Sequence, residues 1–122
     1  MTAEQIAAEL DKKKDDICLF AILDTLEYLK RGGRISAASA LIGGMLGIKP
    51  IISMAENGKL FTVDKVRGRK ATLRVLADKA IKSAKDGYPI FISHADCEAD
   101  AIALASMIRD ARGLKTEVIT DV

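Results

Sequence analysis

Asn57-Gly58 stands between two runs rich in strand-forming residues, KPIISM (Lys49 to Met54) and KLFTVDKV (Lys59 to Val66). Few dipeptides turn a chain back on itself so readily, so the two runs are expected to pair antiparallel. Further along, YPIFIS (Tyr88 to Ser93), an apolar-periodic stretch from Cys97 to Arg112 and KTEVITDV read as strand, helix and strand. Asp96 is placed as the cap of that helix and Gly113 as its end. A strand–helix–strand passage of this length favours a right-handed parallel crossover. One chain that carries both requirements implies a two-layer α/β domain, with a mixed β-sheet covered by helices mainly on one face.

The remaining segments fit that frame. Thr2, followed by Glu4 and Gln5, predicts a helix to about Lys14, with Ile6 and Leu10 on one face. ICLFAIL, Ile17 to Leu23, is continuously apolar and reads as a buried strand. Asp24 or Thr25 is expected to open a short helix that Gly32 and Gly33 terminate. Ser36 predicts a further helix to about Leu46, closed by Gly47. A long helix from about Gly68 to Asp86 would bury Leu73, Leu76, Ala77, Ala80, Ile81 and Ala84, with Gly87 beyond its end. At 122 residues the chain is read as one domain, residues 1–122, with no internal repeat or linker.

Composition removes several function classes. The 19 basic and 17 acidic residues nearly cancel, which argues against broad electrostatic attraction to nucleic acid or to an anionic membrane. Only 4% of residues are aromatic and none is tryptophan, a poor basis for stacking on bases. Cys18 and Cys97 stand apart and read as reduced thiols of a cytoplasmic protein. The N-terminus lacks the apolar run of a secretory signal, and no apolar stretch reads as a membrane span.

Three stretches are candidates for chemistry. GGRISAASALIGGMLGIKP, Gly32 to Pro50, matches neither a Walker loop nor a dinucleotide fingerprint. Gly43 and Gly44 inside a helix would each cost up to about 1 kcal/mol relative to alanine. Close approach of another body would offset that cost, and the apolar neighbours make either tight packing or an apolar ligand the candidate. KVRGRKATLR crowds Arg67, Arg69, Lys70 and Arg74 at a helix start. It reads either as a solvated end or as a small regulatory module's site for an anion or nucleic acid. In SHADCEAD, His94, Asp96 and Cys97 lack a fourth metal ligand, and no nucleophile elbow surrounds any serine. No catalytic residue, metal site or cofactor is therefore expected.

Several motifs in fixed order then carry a resemblance. Leu26-x2-Leu29, Gly32-Gly33-Arg34-Ile35, Ile48-Lys49-Pro50, the Gly58 turn, Val66-Arg67 and His94-Ala95-Asp96 together resemble the second half of the DegV family of bacterial fatty-acid-binding proteins. The resemblance implies a DegV-like C-terminal domain, without the family's closing His-x-Gly-Pro-Gly segment and without its N-terminal domain. It implies that a long-chain fatty acid is held between two domains and presented to an ATP-dependent fatty acid kinase subunit, with no catalysis by the binding protein. Carried to this chain, Arg34 would lie near the head group or the kinase-facing rim, and Arg67 at the same surface. Leu41, Ile42, Met45, Leu46 and Ile48 would line or cap the acyl chain. A half-tunnel leaves apolar surface exposed, so the isolated domain is expected to self-associate.

Overall fold

The computed structural model describes residues 1–36, 47–112 and 116–119. Helix α1, Ala3–Lys13, opens with a reciprocal cap: the Gln5 amide donates to Thr2 Oγ1 (3.2 Å) and the Thr2 amide to Gln5 Oε1 (2.8 Å). It runs into a 3₁₀ turn, Lys14–Asp16, and buries no residue of its own. Strand β1 spans only Phe20–Ile22. The expected buried strand from Ile17 to Leu23 is thus shorter and half-buried, with Ile17 71% exposed. The reason is that, among the described residues, only Phe20–Ile22 find a strand partner, β2, and Ile17 is left uncovered.

Strands β2 (Ile48–Met54) and β3 (Leu60–Arg67) form the expected antiparallel hairpin. Gly58 alone supplies the positive φ, at 80°. Its amide donates to the Ala55 carbonyl (2.8 Å) and the Ala55 amide to the Lys59 carbonyl (2.8 Å). The bend is therefore a turn followed by one left-handed glycine, not the two-residue form with both centres at positive φ. Pairing shifts between Ile51–Asp64 and Ile52–Thr62, which leaves Val63 as the extra residue of a bulge.

Helix α2, Glu27–Arg31, connects β1 to the segment before β2, and helix α3, Arg69–Ser83, follows β3. Strand β4 (Ile90–Ser93), helix α4 (Glu98–Arg112) and strand β5 (Thr116–Ile119) make the expected parallel crossover unit. Both expected kinds of pairing are present in this α/β fold. Among the described residues they occupy two hydrogen-bonded sheets: antiparallel β1-β2-β3 and parallel β4-β5.

Ile51 and Ile52 show how the layers are built. As strand neighbours they point to opposite faces. Ile51 joins the main core with Leu73, Leu76, Ile92, Leu104 and Ile108, beneath α3 and α4. Ile52 packs on the other face with Leu26 and Ile35. The predicted stripe of α3 holds for Leu73, Leu76 and Ala77, with Ala80 and Ile81 at its margin. The helix ends at Ser83, before the expected Asp86, because Ala84 turns to extended geometry. No helix among the described residues is long and apolar enough to cross a membrane.

Candidate functional site

Arg34 owes its position to the way α2 stops. The Gly33 amide donates to the Lys30 carbonyl (3.1 Å) and the Arg34 amide to the Leu29 carbonyl (2.8 Å). Gly33 sits between them at φ 71°. This pair of bonds is the Schellman arrangement, which satisfies the last carbonyls and needs a residue that tolerates the left-handed region. Ile35 is then driven into the smaller core while Arg34 stays exposed. Its Nη1 donates to the Gly32 carbonyl (2.6 Å), which holds the guanidinium close to the turn.

Arg67 occupies the last position of β3, opposite Ile48, the half-buried first residue of β2. The corner is closed by the Gly68 amide, which donates to the Gly47 carbonyl (2.9 Å). Gly47 has φ 74°, and a Cβ there would lie 3.7 Å from Arg67 Nη1. Arg34 and Arg67 are not brought together. The Leu60 amide donates to the Arg34 carbonyl, so Arg34 sits at the hairpin end of β3 and Arg67 at the other. At strand rise the two backbones are about 20 Å apart, too far for both to grip one small head group without full extension. Leu41, Ile42, Met45 and Leu46 lie outside the described residues.

Sequence reading missed a cluster of four charges. Arg69 Nε donates to Asp100 Oδ2 (2.5 Å) and its Nη1 to Asp24 Oδ1 (3.0 Å). Lys49 Nζ adds a second bond to Asp24 Oδ1 (3.2 Å). The hydrogen bond from Lys49, then that from Arg69, holds the Asp24 carboxyl below its ordinary range. Asp100 first, with Asp24, raises the Arg69 guanidinium above its own. These partners come from β1's end, β2, α3 and α4, so no local spacing signals them. Arg69 is thereby engaged by two carboxylates, while Lys70 and Arg74 are exposed on α3. The dense basic stretch is partly neutralised by the fold, which weakens it as an anion or nucleic-acid site.

Beside this cluster, SHAD makes a tight turn. Asp96 lies at φ 54°, the only non-glycine at positive φ among the described residues. Cys97 takes the capping position expected of Asp96, since its carbonyl accepts from Asp100 (3.1 Å) and Ala101 (3.2 Å). Aspartate tolerates the left-handed turn that re-aims the chain into α4. The Cys97 amide donates to His94 Nδ1 (3.4 Å), which leaves the ring proton on Nε2. That Nε2 is buried without a partner among the described residues. His94 lines an apolar cavity of about 270 Å³ between β1 and β4, floored by α3 and α4. No group of three His, Cys, Asp or Glu side chains suited to a metal is found among the described residues.

Comparison with known proteins gives this arrangement a family. The family described as "Uncharacterised protein, DegV family" matches residues 1–121. A DegV domain-containing protein of Clostridium perfringens is 38% identical over 119 residues, 95% of this chain and 40% of that protein. The chain thus spans about 40% of the length of the curated relatives it matches. A DegV family protein from Eubacterium eligens, solved loaded with heptadecanoic acid, superposes with a TM-score of 0.85 at 30% identity. That match covers 98% of this chain and 44% of the other. The Streptococcus pneumoniae fatty acid kinase B3 protein, loaded with linoleic acid, superposes with a TM-score of 0.86 over 98% of this chain and 43% of its own. At 21% identity it shows the shared fold alone. With its motifs in family order and its fold superposing on family structures, the chain belongs to the DegV family.

Proposed function

We propose that this chain is the second domain of a two-domain fatty-acid-binding protein, which holds a long-chain fatty acid and presents it to a kinase partner. The observation that carries the reading is the match, over 98% of the chain, to a family structure solved with heptadecanoic acid. In this reading Leu41, Ile42, Met45, Leu46 and Ile48 form an apolar wall. Burying a methylene contributes about 0.8 kcal/mol, so a dozen or more hold the ligand mainly by chain length. Arg34 and Arg67, at opposite ends of β3, take separate tasks. One meets the carboxylate, through the paired hydrogen bonds that a guanidinium offers, and the other faces the kinase. The domain does no chemistry of its own; phosphoryl transfer belongs to the partner.

Organic extraction and mass spectrometry of the protein encoded by the complete reading frame test this. About one equivalent of long-chain fatty acid per protein is expected. Protein purified without lipid, and unable to take up palmitate in a calorimetric titration, would overturn the reading. The 122-residue chain alone is expected to bind palmitate weakly or not at all, because it supplies one side of the site.

A further inference from the structure

We propose that Asn57, at the tip of the β2–β3 hairpin, is a self-modification site: its side chain cyclises onto the Gly58 nitrogen, and the ring opens to aspartate or isoaspartate. Asn57 is the only asparagine among the 122 residues, and glycine follows it. Both are exposed, and a Cβ built on Gly58 would meet nothing within 4 Å beyond its chain neighbours. The nitrogen that must attack is therefore unshielded. The Lys59 amide donates to Asn57 Oδ1 (3.0 Å), which folds the carboxamide back over the Gly58 peptide. The same donor lies where negative charge gathers on that oxygen as the ring closes. One bond opposes the attack, from the Gly58 amide to the Ala55 carbonyl (2.8 Å). It lies at the exposed end of the hairpin, where local opening costs least, so its release leaves the core intact.

The step needs only water. The Gly58 nitrogen gives up its proton to water and bonds to Asn57 Cγ, and the side-chain nitrogen leaves as ammonia. Water then opens the succinimide ring. Addition at Cγ restores the original main chain and leaves an aspartate. Addition at the main-chain carbonyl carbon of Asn57 breaks the original peptide link and leaves isoaspartate, joined to Gly58 through Cγ. Either product adds one negative charge, against a formal net charge of +2. Only isoaspartate lengthens the main chain, by one carbon, inside the turn closed by the Ala55–Gly58 and Ala55–Lys59 bonds. Leu60 follows directly. It packs against the cluster of Leu26, Ile35 and Ile52, and its amide donates to the Arg34 carbonyl (3.0 Å). Isoaspartate thus disturbs the backbone that carries Arg34, whereas aspartate leaves it in place.

Peptide mapping by mass spectrometry tests this on the protein encoded by the complete reading frame, aged in mildly alkaline buffer. Aspartate and isoaspartate forms of the peptide containing Asn57 are expected to accumulate and to separate on chromatography. Gly58→Ala should slow the conversion about tenfold or more, by placing a Cβ beside the nitrogen. Ile108→Val, at a fully buried core position, should raise the unfolded population about fivefold yet leave the rate within about twofold of the parent. In the purified isoaspartate form the Leu60 amide should exchange about tenfold faster, whereas Asn57→Asp should exchange as the parent does. Native protein that stays unmodified while a urea-unfolded sample converts would overturn the proposal. A rate that climbs in step with the unfolded population of Ile108→Val would do so too, because conversion would then require the whole chain to unfold. Parent-like Leu60 exchange in the isoaspartate form would break the link to Arg34. No readout depends on lipid content, so the fatty-acid reading and this one fail independently.

Discussion

Helices α1 and α3 are opposites in how they are held. The first has every local device: a reciprocal cap, an acid in its first turn and Lys12 and Lys13 in its last. Yet it buries nothing, and Ile6 and Leu10 remain 46% and 63% exposed. Helix α3 begins on Gly68 without a side-chain cap, with Arg69 and Lys70 against the positive end of its dipole. It nevertheless buries Thr72, Leu73, Leu76 and Ala77. Asp24 and Asp100 relieve the charge of Arg69, and Thr72 Oγ1 donates to the Gly68 carbonyl (2.6 Å). Local signals start a helix cheaply, but burial of its face decides whether it belongs to the cooperative unit.

That contrast can be broken by mutation. Ile108→Ala, beneath α3 at 0% exposure, is expected to lower stability by about 2–5 kcal/mol in urea denaturation. Ile6→Ala in α1 should change it by less than about 0.5 kcal/mol. Equal effects would show α1 to be packed as tightly as the core. Gly33→Ala forces a side chain into the left-handed turn that ends α2 and should cost about 1–2 kcal/mol, read as a lower melting midpoint. Thr2→Ala removes a cap worth about 1 kcal/mol to α1. Its amides should exchange faster while the global midpoint holds still; a matching fall in the midpoint would refute the separation.

The smallest effect is electrostatic and depends on pH. Asp24 is held below its ordinary value by Lys49 and Arg69, so its pairing stabilises the fold above the unfolded value near 3.8. That contribution is lost as pH falls through the lower folded value. Asp24→Asn should therefore be slightly less stable than the parent at about pH 7, with the difference closing in acid. Asp16 follows the same sign, because Lys85 and then Tyr88 donate hydrogen bonds to it and lower it. It ties the 3₁₀ turn after α1 to the connection between α3 and β4, so Asp16→Asn should loosen α1 before it affects the core. A midpoint difference that widens in acid would contradict both.

Much of the fold was legible because its signals are short. Asn57-Gly58 marked the hairpin, Gly32-Gly33 marked the end of α2, and Leu73, Leu76 and Ala77 marked the buried face of α3. Two positions were misread, one because of what packs on it from elsewhere and one because of its own backbone turn. ICLFAIL has the composition of a buried strand, but only Phe20–Ile22 pair in the sheet, and burial of a strand requires a body packed over each of its faces. Asp96 has the chemistry of a cap, but the turn into α4 needed its backbone instead. For the candidate site, Gly32-Gly33-Arg34-Ile35 and Val66-Arg67 were visible as motifs, and their separation along β3 was not.

By itself, then, the sequence determined the order and kind of the described elements and the hairpin, because these rest on residues within a turn or two of each other. It determined the family through several such motifs in fixed order; the helix expected from Ser36 to about Leu46 lies, beyond Ser36 itself, outside the described residues. Only the tertiary structure decided that the described strands fall into two hydrogen-bonded sheets, β1-β2-β3 and β4-β5. It alone placed Arg34 and Arg67 at opposite ends of one strand, and it alone joined Arg69 to Asp24 and Asp100, 45 and 31 residues away. Such pairings cost chain entropy to close and are repaid by the whole core at once, so no local pattern announces them.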